Sequence, residues 1–129
     1  MRIVTSIFLV DDSQLMRQQT SRLLQQQECW EVSGEAVNGA EAVSRFADLM
    51  PDVTILDFEM PQMNGLEAAK SILRQFPSAN IIMLSIHLPG PLASEARRIG
   101  IKGACPKSEM WCLPEAIRAL LRGETYFPN

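Results

Sequence analysis

Five side chains able to do chemistry stand where apolar runs stop. Ile7-Phe8-Leu9-Val10 ends at two consecutive acids, Asp11 and Asp12. The run Asp52-Val53-Thr54-Ile55-Leu56 ends at Asp57, Ile81-Ile82-Met83-Leu84 ends at the hydroxyl of Ser85, and Gly103-Ala104-Cys105-Pro106 ends at Lys107. Adjacent like charges at the rim of a core repel, and each resists desolvation, so Asp11 and Asp12 need a compensating charge. Three carboxylates with one lysine suit a hard divalent cation. Mg²⁺ takes few protein carboxylates, keeps several waters and completes its octahedron with phosphate oxygens. An aspartate beside such a cation and Lys107 is also placed to attack phosphorus and form an aspartyl phosphate.

Taken singly, each residue has a plainer role. An acid such as Asp12 at a strand end is more often a helix N-cap, Asp57 a loop acid, Ser85 a solvated hydroxyl and Lys107 a surface charge. Their joint placement at successive strand ends favours the chemistry. The single histidine, His87, reads as incidental, Trp30, Trp111 and the methionines as packing, and Arg97-Arg98 as a solvated helix face.

Positioning these groups requires elements that bring distant segments to one edge. Short apolar runs alternate with helical patterns, the mark of a parallel sheet with crossover helices. Leu15, Met16, Leu23 and Leu24 mark a first helix, with Asp12 or Ser13 as N-cap. Trp30–Ser33 alternates and ends at Gly34, a second strand. A second helix uses Val43, Phe46, Ala47 and Met50, and Pro51 stops it. "EMPQMNG" is a loop by composition. Leu66, Ala69, Ile72, Leu73 and Phe76 mark a third helix, closed by Pro77. A weaker fourth has Pro91 in its first turn and Gly100 as its cap. The 103–107 stretch is an edge strand or no strand, because Pro106 cannot donate to a ladder. A last helix carries Leu113, Ala116, Ile117, Leu120 and Leu121, with Gly123 after it. The pattern predicts an α/β fold: a doubly wound, flavodoxin-like, five-stranded parallel sheet of order 2-1-3-4-5, with helices on both faces. In such sheets ligands bind outside the carboxyl ends of the strands, where strand order reverses.

The bulk properties agree with one domain of ordinary composition. The chain has 129 residues, 47% hydrophobic and 21% charged, with a formal net charge of −3. That balance, without a basic patch or tail, argues against direct binding to nucleic acid or an anionic membrane. Cys29, Cys105 and Cys112 lack metal-type spacing and read as buried thiols in a reducing cytosol. No apolar stretch is long enough to cross a bilayer, and the N-terminus lacks a signal-peptide pattern, so a cytoplasmic location is expected.

The segments "FLVDDSQLMRQQTSRLL", "DVTILDFEMPQMNGLEAAKSI", "IIMLSIH" and "GIKGACPKS" resemble the receiver domains of two-component response regulators. The closing "PEAIRALLRGETYF" is similar to the NarL/FixJ-like subgroup, whose receiver precedes a LuxR-type helix-turn-helix domain. The resemblance runs from about Ile7 to Phe127. It implies a receiver domain over 1–123, with 124–129 starting a linker to an output domain outside this chain. It implies Asp57 as phosphoacceptor, charged from a phosphohistidine on a sensor histidine kinase or phosphotransfer protein. Asp12 would hold Mg²⁺ directly and Asp11 through water, with Asp57 and the backbone carbonyl of Glu59 completing the protein ligands. Lys107 would hold a phosphoryl oxygen, and Ser85 would move to hydrogen-bond the phosphoryl group. Glu59 and His87 fall at the positions that tune phosphoryl lifetime in such domains.

Three features depart from the family pattern. Ala104 stands at the usual aromatic switch position, Lys107 is followed by Ser108 with Pro106 before it, and "LPGP" stiffens the approach to the fourth helix. They bear on output more than on phosphorylation. The leading expectation is a phosphorylation-dependent switch, not an enzyme beyond its own phosphotransfer and slow dephosphorylation. It would control transcription through a DNA-binding domain absent here, with a homodimer through its outer helices as one form. The alternative is a receiver-like module for interaction or dimerisation without phosphorylation, which Ala104 favours. A haloacid-dehalogenase-type phosphohydrolase ranks last, since Asp57-Phe58-Glu59 matches its paired acids loosely and no room is left for a cap.

Overall fold

The computed structural model describes residues 3–60 and 63–127. Pro61 and Gln62 of the "EMPQMNG" loop, and Pro128 and Asn129 of the expected linker, lie outside the described residues.

Strands β1 (Thr5–Val10), β2 (Trp30–Ala36), β3 (Val53–Asp57), β4 (Ile81–Ser85) and β5 (Gly103–Pro106) form one parallel sheet in the order β2-β1-β3-β4-β5. Helices α1 (Gln14–Gln25), α2 (Gly39–Leu49), α3 (Gly65–Gln75), α4 (Gly90–Ile99) and α5 (Leu113–Leu121) connect and follow them. The expected fold and strand order are those observed. The near-continuous apolar runs have a plain cause, since strands β3 and β4 are buried at every position. Alternation along the strands divides the core between two faces. Phe8, Val10, Leu56, Ile81, Met83 and Ala104 pack with Phe46, Ala69, Ile72 and Ala96 of α2, α3 and α4. Ile7, Leu9, Ile55, Ile82, Leu84 and Cys105 pack with Leu24 of α1 and Leu113, Ile117 and Leu120 of α5.

Several boundaries differ from the sequence reading. Strand β2 does not end at Gly34 but runs on to Ala36. Its register against β1 shifts so that Ile7 faces Val32 and Phe8 faces Gly34, an irregularity that inserts Ser33. A Cβ at Gly34 would sit 2.6 Å from Leu49 Cδ1, so glycine lets α2 lie close over the bulge. Of the two N-cap candidates for α1 the structure selects Ser13, whose Oγ accepts from the Met16 N–H at 3.2 Å. Leu15, assigned to the buried face, is 62% exposed, whereas Leu24 of that face is buried as expected and Thr20 is buried with it. Ala47 and Met50 also point outward, while Ala42 joins Phe46 inside, and Leu121 is exposed beyond Leu120. These misplacements share a cause: helices lying on a sheet bury a narrow stripe, and apolar residues at its flanks reach solvent.

Residues 103–106 are an edge strand. Pro106 is its last residue, opposite Ser85, so its missing donor interrupts nothing. The outer edge of β5 is covered by the chain's own return: Ala104 N–H donates to Tyr126 O and Tyr126 N–H to Lys102 O, both at 2.9 Å. A 3-10 segment, Lys107–Cys112, not anticipated from the sequence, joins β5 to α5 and leaves Trp111 72% exposed. Cys105 and Cys112 are buried, Cys29 is half-buried, and all three are free thiols.

Candidate functional site

The carboxyl ends of β1, β3, β4 and β5 converge as the strand order requires. Asp11 follows β1, and its N–H bonds Ala36 O, which aligns it with the end of β2. Asp57 closes β3 opposite Leu84, and the next residue, Phe58, donates to Leu84 O at 3.0 Å. Ser85 closes β4, and Lys107 stands one residue beyond β5. The structure therefore brings together all five residues singled out by type and spacing.

Asp57 is 1% exposed. Its Oδ1 accepts from the Glu59 N–H at 2.9 Å and pairs with Lys107 Nζ at 2.8 Å. Its other oxygen, Oδ2, is buried and has no hydrogen-bond donor among the described residues. A buried carboxylate oxygen without a donor is costly unless a cation or reactant comes to it. Asp11, Asp12 and Asp57 each offer an oxygen within 4.8 Å of the others, an arrangement able to hold a metal ion. An all-oxygen donor set with one orphaned carboxylate oxygen fits Mg²⁺.

Electrostatics show the same need for positive charge. Burial pushes the Asp11 carboxyl up to about 6; the Ser13 N–H opposes this, and nearby Asp57 adds to it. Asp12, released from capping by Ser13, is exposed at the mouth. Burial works against the Lys107 ammonium, but its bond to Asp57 and the charges of Asp57, Asp11 and Glu59 outweigh it, so its pKa is raised. Lys107 therefore stays protonated, a fixed cation against Asp57.

Ser85 is 1% exposed, with its Oγ in reach of Glu59 Oε2 and of His87 O, the latter at 2.7 Å. One hydroxyl proton serves one of these acceptors at a time. The Glu59 carboxylate also accepts from the Ile86 N–H at 3.0 Å and lies 3.4 Å from Lys107 Nζ. His87 meets Ser85 through its backbone carbonyl. Backbone donors and Arg17 escaped the sequence reading. Arg17 donates from Nη1 to Asp11 O and from Nε to Glu35 Oε1, both at 2.8 Å, tying α1 to β1 and β2 below the acids. Only an i,i+6 relation to Asp11 marks it in the sequence, and nothing local makes that informative.

Comparison with known proteins decides the family. The model of the response regulator receiver domain matches residues 7–118. The chain belongs to the response regulator receiver domain family. It is similar to the chemotaxis protein CheY of Thermotoga maritima, 38% identical over 96 residues, which cover 74% of this chain and 79% of that protein. It is 34% identical to the response regulator UvrY of Escherichia coli over 129 residues, 96% of this chain but 57% of UvrY. The chain thus spans little more than half the length of that relative. Among solved structures, a LuxR-family two-component response regulator from Aurantimonas sp. SI85-9A1 superposes with a TM-score of 0.92 at 29% identity, covering 95% of this chain and 89% of that one. The isolated receiver of RcsB from Salmonella enterica, determined with phosphomimetic BeF3−, gives 0.88 at 27% identity, covering 98% and 94%. These neighbours agree with the NarL/FixJ-like subgroup. The receiver's role is phosphorylation-dependent two-component signalling, and the phosphorylation-independent reading is not favoured. Receivers of this family bind Mg²⁺ at the acidic pocket and interact with kinases or phosphotransfer proteins. Among the described residues no helix is long and apolar enough to cross a membrane.

Proposed function

We propose that Asp57 is the phosphoacceptor of this receiver. The carrying observation is its orphaned Oδ2: one carboxylate oxygen is saturated by Lys107 and the Glu59 N–H, and the other, buried beside two more acids, has no donor among the described residues. An in-line transfer needs a positioned nucleophile and neutralised equatorial oxygens, and little else from the protein. Oδ2 forms the bond to phosphorus while the bond from phosphorus to the donor's leaving group breaks, its electron pair departing with that group. Lys107 Nζ stays on the carboxylate before transfer and takes a phosphoryl oxygen after it. The Ser85 hydroxyl turns from its present acceptors to donate to another. Asp11, Asp12, Asp57 and the Glu59 carbonyl would hold Mg²⁺, which would supply charge neutralisation on the phosphoryl oxygens.

The donor is a phosphohistidine on a sensor histidine kinase or phosphotransfer protein. The module catalyses only its own phosphotransfer and slow dephosphorylation, and acts in the cytoplasm. Because UvrY-type relatives are longer, the output is a further domain, and control of transcription through DNA binding belongs to that domain. Homodimerisation through the outer helices is the form this output would use. Ala104, fully buried on β5, leaves no ring to swing at the switch position, so the signal travels through the backbone from Ser85 into α4.

The test is incubation with Mg²⁺ and acetyl phosphate, read by intact mass. The wild-type chain gains one acid-labile phosphoryl group and Asp57→Asn gains none. A phosphoryl group retained on Asp57→Asn, or none on the wild type, overturns the assignment.

A further inference from the structure

The two groups assigned above to the phosphoryl oxygens, Ser85 and Lys107, are already engaged, and a backbone donor is engaged with them. Ser85 Oγ, the Ile86 N–H and Lys107 Nζ come from the ends of β4 and β5, and all three converge on one side chain, the Glu59 carboxylate. Its two oxygens divide the work. Oε1 accepts from the Ile86 N–H at 3.0 Å and lies 3.4 Å from Lys107, while Oε2 meets Ser85 Oγ. Glu59 follows Asp57 by two residues, so its own N–H bonds Asp57 Oδ1 while its side chain turns back over the strand ends.

We propose that the Glu59 carboxylate is an internal occupant of the phosphoryl-oxygen position, and that phosphorylation of Asp57 proceeds only as this carboxylate withdraws. The inference rests on Asp57 being the phosphoacceptor. A hydroxyl, a backbone amide and an ammonium around one point form an oxyanion site. Attraction to Lys107 alone would not place the second carboxylate oxygen on Ser85 or the first on the Ile86 N–H. Withdrawal is open to Glu59 because its side chain is 38% exposed, whereas Ser85 and Asp57 are each 1% exposed. Once it leaves, the Ser85 proton still has the His87 carbonyl at 2.7 Å, so the emptied state has no stranded hydroxyl. Glu59 thereby sets how readily small donors and a partner's phosphohistidine charge the receiver.

The ligand's apparent affinity falls by the fraction of molecules in which the site is free. If Glu59 is docked about nine times in ten, beryllofluoride with Mg²⁺ should bind Glu59→Ala about tenfold more tightly than wild type. Glu59→Ala keeps the backbone carbonyl and N–H. Titration followed by fluorine NMR gives the two half-saturation points, and the ratio should persist at high salt, where long-range repulsion between charges is screened. In the absence of any anion, the Ile86 amide proton should exchange faster in Glu59→Ala, having lost its acceptor. Equal beryllofluoride affinities, a ratio that vanishes with salt, or an unchanged Ile86 amide overturns the inference and leaves Asp57 as phosphoacceptor. Absence of an adduct on both proteins overturns the phosphoacceptor assignment and this inference with it.

Discussion

Acidification should stabilise the metal-free receiver over the range where most proteins begin to lose stability. The cause is Asp11, whose carboxyl burial pushes from 3.8 to about 6. The folded chain then binds this proton more tightly than the unfolded chain does, so folding is favoured when the proton is on. The Asp11 penalty is fully present above about pH 6 and fades as pH falls toward about 4. Two pKa units at 1.36 kcal/mol each set a ceiling of about 3 kcal/mol. Water reaches the site past the exposed Asp12, which reduces the figure to about 1–2 kcal/mol. Lys107, whose pKa is raised, contributes stability that is lost only at strongly alkaline pH, outside this window. Urea unfolding without metal, at steps from about pH 7.5 to about pH 4.5, should show this gain, equivalent to a melting shift of about 5 °C. Asp11→Asn should remove the rise and start more stable at neutral pH by a similar amount. Saturating Mg²⁺ should flatten the wild-type profile at neutral pH and lose its effect below about pH 6, because metal ligands must be deprotonated. A metal-free wild type whose stability falls steadily from neutral to about pH 5, with Asp11→Asn following the same curve, would refute the reasoning.

Other perturbations separate the roles of the remaining groups. Asp12→Ala should weaken Mg²⁺ binding by about tenfold or more while changing metal-free stability by under about 0.5 kcal/mol, since Ser13 caps α1; equal titration curves for the two proteins would remove Asp12 from the ligand set. Lys107→Met should cost the metal-free protein about 3 kcal/mol, because Asp57 keeps its burial and loses its cation. Mg²⁺ should restore part of that loss in a urea titration, and a neutral substitution would show that the pair carries no such strain. Gly65→Ala should cost about 2–3 kcal/mol and slow adduct formation, as its Cβ would stand 2.4 Å from Phe58 Cδ1 and 2.6 Å from the Asp57 carbonyl. Wild-type stability and adduct rate in that variant would show that the loop yields freely.

The sequence by itself determined the sheet, its order and the five residues at its carboxyl edge. Each was visible for a local reason: a strand buried on both faces needs an unbroken apolar run, and its chemistry appears where that run stops. Phe8 and Ile82 announced strands in this way, and Asp11, Asp57, Ser85 and Lys107 announced their ends. Where a preference is local but shared between neighbours, the tertiary structure made the choice. Asp12 and Ser13 were both able to cap α1, and capping by Ser13 leaves Asp12 for the acidic cluster. Leu15, Met50 and Leu121 looked like core because helical periodicity marks an apolar face but not how wide a stripe the sheet covers. The pairing of Tyr126 with the edge of β5, the Arg17 tie to Asp11 and the Glu59 carboxylate on Ser85 and Ile86 left no trace in composition or spacing. The Tyr126 and Glu59 contacts join groups from separate crossovers and the Arg17 tie depends on how α1 lies against its strand, and these separations in space are set only when the sheet twists and its helices settle on it. Residue types determined which chemistry was available. The packing of one strand end against the next decided that the Glu59 carboxylate meets Ser85, the Ile86 N–H and Lys107.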